Sequence, residues 1–331
     1  MEGVRNYDKI SPGKTTATKG YAPATFRLVQ LRRCVRPGYG QVYCNSPPDI
    51  VKSGAMDKKI LDTIAEFVGK QWRNPEIPAE MDKADFASLS ERAAADISKG
   101  KTKARKIIRL AGQSGSGKSS ILLPAALEAL EAAGINPIHL AVRTFAPYHP
   151  HYERIKAEYG ADNVRENTNA FALTLLSYTL ARLLAQGVYV LHEVTILGAP
   201  YENFWAGLLR ENGYVADVHA IAMPKEVSDA LIDQRAGGSG NEAGRKVAQT
   251  SKDFFFRMVP ESLEIFRDEL PDGNITIWSA TEPAPVFNGK CGAPEALVAL
   301  EKYRALSPYA LMEKEKALAA RKAWFRSEYS T

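Results

Sequence analysis

Residues Gly112-Gln113-Ser114-Gly115-Ser116-Gly117-Lys118-Ser119 fit the pattern Gly-x-x-x-x-Gly-Lys-Ser, the spacing of a loop that cradles phosphate groups. Glycines reach backbone angles closed to other residues, so successive amide N–H groups can converge on phosphate oxygens. Lys118 would reach the β- and γ-phosphates of a nucleotide, and the Ser119 hydroxyl is a hard oxygen ligand suited to Mg²⁺. The candidate contacts to the nucleotide are therefore Gly112, Gln113, Ser114, Gly115, Ser116, Gly117, Lys118, Ser119 and Ser120, with Ser119 the candidate metal ligand.

Such a loop works only between a strand and a helix, and the flanks supply both. Lys106-Ile107-Ile108-Arg109-Leu110-Ala111 reads as a short buried strand, and a helix opens at Ser120-Ile121-Leu122-Leu123. Further on, Pro137–Val142, Val188–His192, Val215–Ala222 and Asn274–Trp278 read as strands two to five. Between them lie helical patterns over about Thr168–Gln186 and Tyr201–Glu211, and another opening at Pro224. Strands that alternate with helices and are nearly continuously apolar imply an α/β fold, a parallel sheet with helices on both faces built around the P-loop. Ligands in such folds bind at the carboxyl ends of the strands.

The 331 residues, 45% of them hydrophobic, can bury one large core and leave flanking elements over. The expected division is a basic, weakly structured arm over 1–55, a helical prelude over 56–100, the kinase core over 101–290 and C-terminal helices over 291–331, broken at Ser307-Pro308. The arm carries seven Lys or Arg and no acid between Lys9 and Pro48. No helix-turn-helix, zinc or aromatic-basic pattern accompanies it, which argues against nucleic acid as a partner. Cys34, Cys44 and Cys291 have no Cys-x-x-Cys spacing, which fits neither a metal knuckle nor a disulfide framework and points to the cytoplasm. The apolar run Phe171–Leu191 is interrupted by Arg182, Gln186 and Gly187, so it reads as a buried helix and strand, with no membrane span expected. Gly237-Gly238-Ser239-Gly240, with arginines on either side, is a candidate lid or a plain linker.

From Leu110 to Arg245 the chain resembles the zeta toxin family of P-loop kinases, the toxic halves of bacterial toxin–antitoxin pairs and of some pathogen effectors. The loop resembles the family's Gly-Gln-x-Gly-x-Gly-Lys form. Phe145-Ala146-Pro147-Tyr148-His149-Pro150-His151-Tyr152 resembles its Phe-x-x-x-His-Pro-x-Tyr segment, Glu193-Val194-Thr195 its Glu-Gly-Thr, and Ala222-Met223-Pro224-Lys225 its Ala-x-Pro-Lys strand end. Arg235 and Arg245 stand where two phosphate-contacting arginines are expected. The resemblance implies an ATP- and Mg²⁺-dependent kinase that phosphorylates a sugar hydroxyl of a nucleotide metabolite, of the UDP-N-acetylglucosamine or NAD type. It also implies a small antitoxin or chaperone partner, a bacterial cytoplasmic location, and delivery into a host cell for effector members. Lys118, Arg143, Arg235 and Arg245 become the candidate catalytic positions, and Thr144, His149, Glu193 and Thr195 the candidate substrate contacts.

One departure matters. The family carries an aspartate two residues before the phenylalanine, where it accepts the proton of the attacked hydroxyl; here Arg143 stands there, and no acid lies between Glu131 and Glu153. A guanidinium cannot accept a proton near neutral pH. Three readings follow: an inactivated kinase, a kinase that recruits another base such as Glu193, or a catalytically silent nucleotide-binding relative that acts through a protein partner. A mechanical NTPase is disfavoured, since no run of four apolar residues ends in Asp-Asp or Asp-Glu.

Overall fold

The computed structural model describes residues 62, 64, 81, 83–160, 164, 167–194, 199–237, 247–306 and 312–329. Its strands are β1 (Lys106–Ala111), β2 (Ile138–Leu140), β3 (Val190–Val194), β4 (Val215–Ala222), β5 (Asn274–Ser279) and β6 (Phe287–Lys290). They form one sheet in the order β2-β3-β1-β4-β5-β6, parallel throughout except for the antiparallel edge strand β6. The chain leaves β1 for β2 on one side and later returns to place β4 on the other, so the order reverses at β1, where ligands bind in such sheets.

The helices are α1 (Lys83–Ser98), α2 (Leu123–Ala132), α3 (Tyr152–Tyr159), α4 (Asn169–Ala185), α5 (Ala199–Glu211), α6 (Lys225–Gly237), α7 (Gln249–Glu269), α8 (Glu295–Arg304) and α9 (Lys314–Tyr329). Period-two alternation along β1 divides the core. Ile107 and Ala111 join one buried cluster with residues of α1, α4, α5 and α7, whereas Ile108 and Leu110 join a second with α2 and α9. Helices thus cover both faces of an α/β sheet. The expected prelude helix appears as α1 and belongs to the first cluster: Phe86 lies 5.4 Å from Phe171 and 5.8 Å from Tyr178 of α4. Nearly every residue of α4 is buried, which is why its sequence is apolar all round rather than on one stripe. Within this layer Arg109 of β1 pairs with Glu202 of α5 at 2.9 Å, both side chains almost fully buried, and stacks over Phe266 of α7 at 4.6 Å.

Several elements depart from the expected pattern. β2 stops at Leu140 because Val142–Tyr148 coils into a 3-10 helix, and β3 starts two residues late, at Val190, and runs to Val194. The antiparallel β6, with one apolar residue in Phe287-Asn288-Gly289-Lys290, carries little periodic signal. The 21-residue α7 contains Pro260, a residue that sequence reading treats as a breaker. The basic arm, the Gly238–Gly240 stretch and Ser307-Pro308 lie outside the described residues; of the first prelude helix only Asp62 and Ile64 are described, Ile64 being buried in the first cluster. No described helix is long and apolar enough to cross a membrane.

Candidate functional site

β1 ends in the glycine loop at the centre of the sheet, and the loop turns directly into helix. Lys118–Leu122 forms a π-helical turn, with the Leu122 amide donating to Gly117 O at 3.4 Å, and α2 continues from Leu123. Two glycines are required by geometry. Gly117 has φ +95°, and Gly115 has φ +77° with a backbone so close to α6 that a Cβ would stand 2.5 Å from Ser228 O. Gln113 serves the same packing: its buried side-chain amide donates to Met223 O at 2.9 Å and to Ser228 Oγ at 3.2 Å. The loop is therefore clamped to the end of β4 and the start of α6, and Gln113 works as its anchor. The buried Lys118 ammonium donates to Gly112 O at 2.8 Å and Gln113 O at 2.7 Å, which holds the cation over the loop.

Glu193, at the carboxyl end of β3, is the hub of the polar side of the site. Its Oε1 accepts a hydrogen bond from Ser119 Oγ, its Oε2 accepts one from Arg143 Nη2 at 3.2 Å, and His139 Nε2 of β2 stands 3.6 Å away. Burial pushes this carboxyl up, but the His139 and Ser119 contacts and the charges of Arg143 and Lys118 outweigh it and hold the pKa at about 2. Glu193 is thus an ionised acceptor, suited to binding a cation or its water rather than to taking a proton near neutral pH. His139 was not among the expected residues; a polar residue inside the apolar run Ile138-His139-Leu140, one strand from the loop, is the signal that points to it.

Ser114 through Ser120, Arg143, Glu193 and Arg235 line one cavity of about 520 Å³. Arg143 reaches it from the first turn after β2, and Arg235 from the last turn of α6. Thr144 and His149 are not brought to its wall. His149 is buried, with its ring edge-on to Phe171 at 4.7 Å and its Nδ1 accepting the His151 amide at 3.0 Å, so it shapes the turn before α3. Thr195 and Arg245 lie outside the described residues. The cavity also has walls that sequence reading did not indicate: Ile221 and Met223 at the end of β4, Trp278, Ser279 and Ala280 at the end of β5, and Met312, Lys314, Ala317 and Arg321 from α9 and the residues before it.

A phosphate loop at the switch point of a 2-3-1-4-5 parallel sheet, with a strand-end glutamate and two arginines around it, is an arrangement that can be compared with known proteins. Residues 91–288, more than half of the chain, match the profile described as zeta toxin. The chain belongs to the zeta toxin family. Over 147 residues it is 29% identical to toxin PezT of Streptococcus pneumoniae, a match that covers 44% of this chain and 56% of PezT, little more than half of that relative's length. Its fold is similar to a structure from the PezAT chromosomal toxin–antitoxin system of the same organism, with a TM-score of 0.51 and 21% identity, over 76% of this chain and 97% of that one. A native AvrRxo1-ORF1:-ORF2 complex aligns with a TM-score of 0.48 and 17% identity, over 78% of this chain and 86% of that one. The zeta toxin chain described here therefore carries the family's sheet and loop together with Arg143 at a site wall.

Proposed function

We propose that this zeta toxin chain is a kinase that transfers the γ-phosphoryl group of ATP to a sugar hydroxyl of a nucleotide metabolite, of the UDP-N-acetylglucosamine or NAD class. The observation that carries this reading is the meeting of Ser114–Ser120, Arg143, Glu193 and Arg235 around one cavity at the sheet's switch point. Phosphoryl transfer depends mainly on positioning and on stabilising charge spread over the moving group. The loop amides and Lys118 would hold the β- and γ-phosphates, while Arg235 would face the transferred group from α6. Ser119 and Glu193 present two hard oxygen donors side by side, a set that fits Mg²⁺. Mg²⁺ held there would supply neutralisation of the charge that develops on the transferred group. On the strength of the family resemblance, Arg245 would add a second positive contact to the phosphates and Thr195 a contact to the acceptor. Thr144 and His149 would act by shaping the segment that carries Arg143. The same membership supports a small antitoxin protein as partner and the bacterial cytoplasm as the place of action.

A second reading is favoured by one observation. Glu193 is the one carboxylate among the described residues that line the cavity, and it is tied to Arg143 and held ionised to about pH 2. A site with no ready proton acceptor would suit a nucleotide-binding relative that works through a protein partner. The test is to incubate the full chain with Mg²⁺ and γ-labelled ATP alongside UDP-sugars and nicotinamide dinucleotides, and to follow label by mass spectrometry. Label on a sugar hydroxyl of one metabolite is the expected result. Tight ATP binding with no transfer to any acceptor would overturn the kinase reading in favour of the silent one.

A further inference from the structure

We propose that α9 and the end of β5 form the wall that receives the nucleoside base of ATP, and that Arg321 is the residue that positions this wall. This inference rests on the nucleotide-binding reading above and extends it to a part of the chain beyond residues 91–288, the span of the family match.

The two ends of the cavity differ in chemistry. The β2–β3 side carries Arg143 and Glu193, whereas the β4–β5 side is mainly apolar, with Ile221, Met223, Trp278, Met312 and Ala317 beside Ser279, Lys314 and Arg321. With the triphosphate at the glycine loop and its reacting end toward Ser119 and Glu193, the remainder of the nucleotide extends to the apolar side. The flat faces of a base are the part of ATP that such a surface accommodates, because packing them on it removes apolar area from water, while Ser279 and Lys314 lie on the same wall for its polar edge.

Arg321 explains why this wall has a defined shape. The residue is 3% exposed, and its guanidinium lies 4.6 Å over the Trp278 ring and donates to three carbonyl oxygens: Glu282 O at 2.8 Å, Pro283 O at 2.7 Å and Ser279 O at 2.7 Å. The Met312 amide closes the same junction by donating to Ala280 O at 2.9 Å. An apolar residue would dock a helix on Trp278 with less desolvation cost than a buried cation. What the planar fork adds is geometry: it ties residues 279–283 to α9 at fixed angles, as a lysine cannot. Arg321 spends its hydrogen bonds on the protein's own backbone, so it is a positioning residue and not a phosphate contact.

The test compares two ligands on the full chain by calorimetry in Mg²⁺: ATP, and inorganic tripolyphosphate, which engages the loop but has no base. Ala317→Phe, which puts a ring into the apolar end, should weaken ATP at least about tenfold and leave tripolyphosphate within about twofold. Arg321→Lys should weaken ATP by about tenfold with the same selectivity, and would raise the KM for ATP more than it lowers kcat. Tripolyphosphate binding is itself the check that the loop remains folded. The proposal is overturned if both variants bind ATP like the wild type, or if properly folded variants lose both ligands equally. Wild-type protein that binds tripolyphosphate as tightly as ATP would overturn the base wall and leave the phosphate loop standing. Wild-type protein that binds neither would instead overturn the nucleotide reading on which this inference rests.

Discussion

The two sides of the cavity are built by opposite means. At the ends of β2 and β3, Glu193 gathers Ser119, Arg143 and His139 into a charged cluster whose order comes from directional polar contacts. Along β4 and β5, most of the order comes from packing: Trp278 and His219 from the sheet meet Trp324 and Phe325 of α9, with ring centroids 4.8–6.4 Å apart, and the Arg321 guanidinium on its three carbonyls is the polar exception. Contacts of the first kind set the protonation and charge that chemistry needs, whereas those of the second kind hold a shape and tolerate little water. A substitution on the first side should therefore change turnover with little change in stability, and one on the second side should do the reverse.

The strongest way to break that division is Arg143→Asp. On the motif resemblance to the family, a proton acceptor would stand where Arg143 does, and general acid–base help is typically worth about 10²–10⁴-fold. The substitution should raise kcat for phosphoryl transfer by at least about 10²-fold while leaving the thermal midpoint nearly unchanged, since the residue is substantially exposed. A fall in kcat would mean that Arg143 contributes more as a charge clamp than a carboxylate could as a base. Next in size, Lys118→Ala should lower transfer by about 10²–10³-fold, the usual cost of removing one donor aimed at developing charge. Single-turnover kinetics would separate this from a loss of ATP binding.

Legibility in the sequence divides along the same line. The loop, its strand and its helix were readable because glycine spacing and apolar runs are local signals, and β4 falls at Val215–Ala222, where six apolar residues around Asp217 and His219 indicate a strand. Glu193 and Arg143 were readable as candidates because each sits one step past the apolar run read as a strand, at the carboxyl end where ligands bind. Their direct contact was not, since it depends on the 3-10 turn at Val142–Tyr148 that cuts β2 short. The α9 wall was not legible either. A Lys/Glu/Ala-rich helix announces that it is helical, but Arg321's partners are backbone carbonyls about 40 positions away, to which composition and period are blind. Gln113 shows the converse: its type matched a phosphate loop, while its side chain serves the packing of the loop on α6.

The packed side can be probed by pH. Burial depresses the pKa of His219 to about 4, against 6.5 for a free imidazole, so the folded chain binds fewer protons than the unfolded chain between those values. Stability should be full above about pH 6.5 and fall as pH drops toward 4, by at most roughly 3 kcal/mol for this residue at 1.36 kcal/mol per unit. Buried His192, also lowered by burial and by the charge of Arg109, contributes with the same sign. Denaturant unfolding at pH 7 and pH 5 should show the loss, and His219→Phe should reduce it. An unchanged slope in that variant would mean that His219 is not the group responsible.

The smallest expected effect tests whether α9 is held by packing or by its terminal hydrogen bond. Tyr329 donates its hydroxyl proton to Asp217 Oδ2 at 3.0 Å, and the same carboxylate takes Lys106 Nζ at 2.8 Å and Asn274 Nδ2 at 2.8 Å. Asp217 therefore keeps two donors when the hydroxyl is removed, and Tyr329→Phe leaves the ring stacked on Phe325 at 5.9 Å. A net hydrogen bond is worth about 1 kcal/mol, so the substitution should cost no more than that in chemical unfolding, with ATP affinity and kcat unchanged. If aromatic packing holds the helix, Phe325→Ala should cost several times as much, as loss of a large buried ring usually does. Equal costs for the two substitutions would place the anchor of α9 at Asp217 instead, and the contrast between a polar side built by hydrogen bonds and an apolar side built by packing would fail.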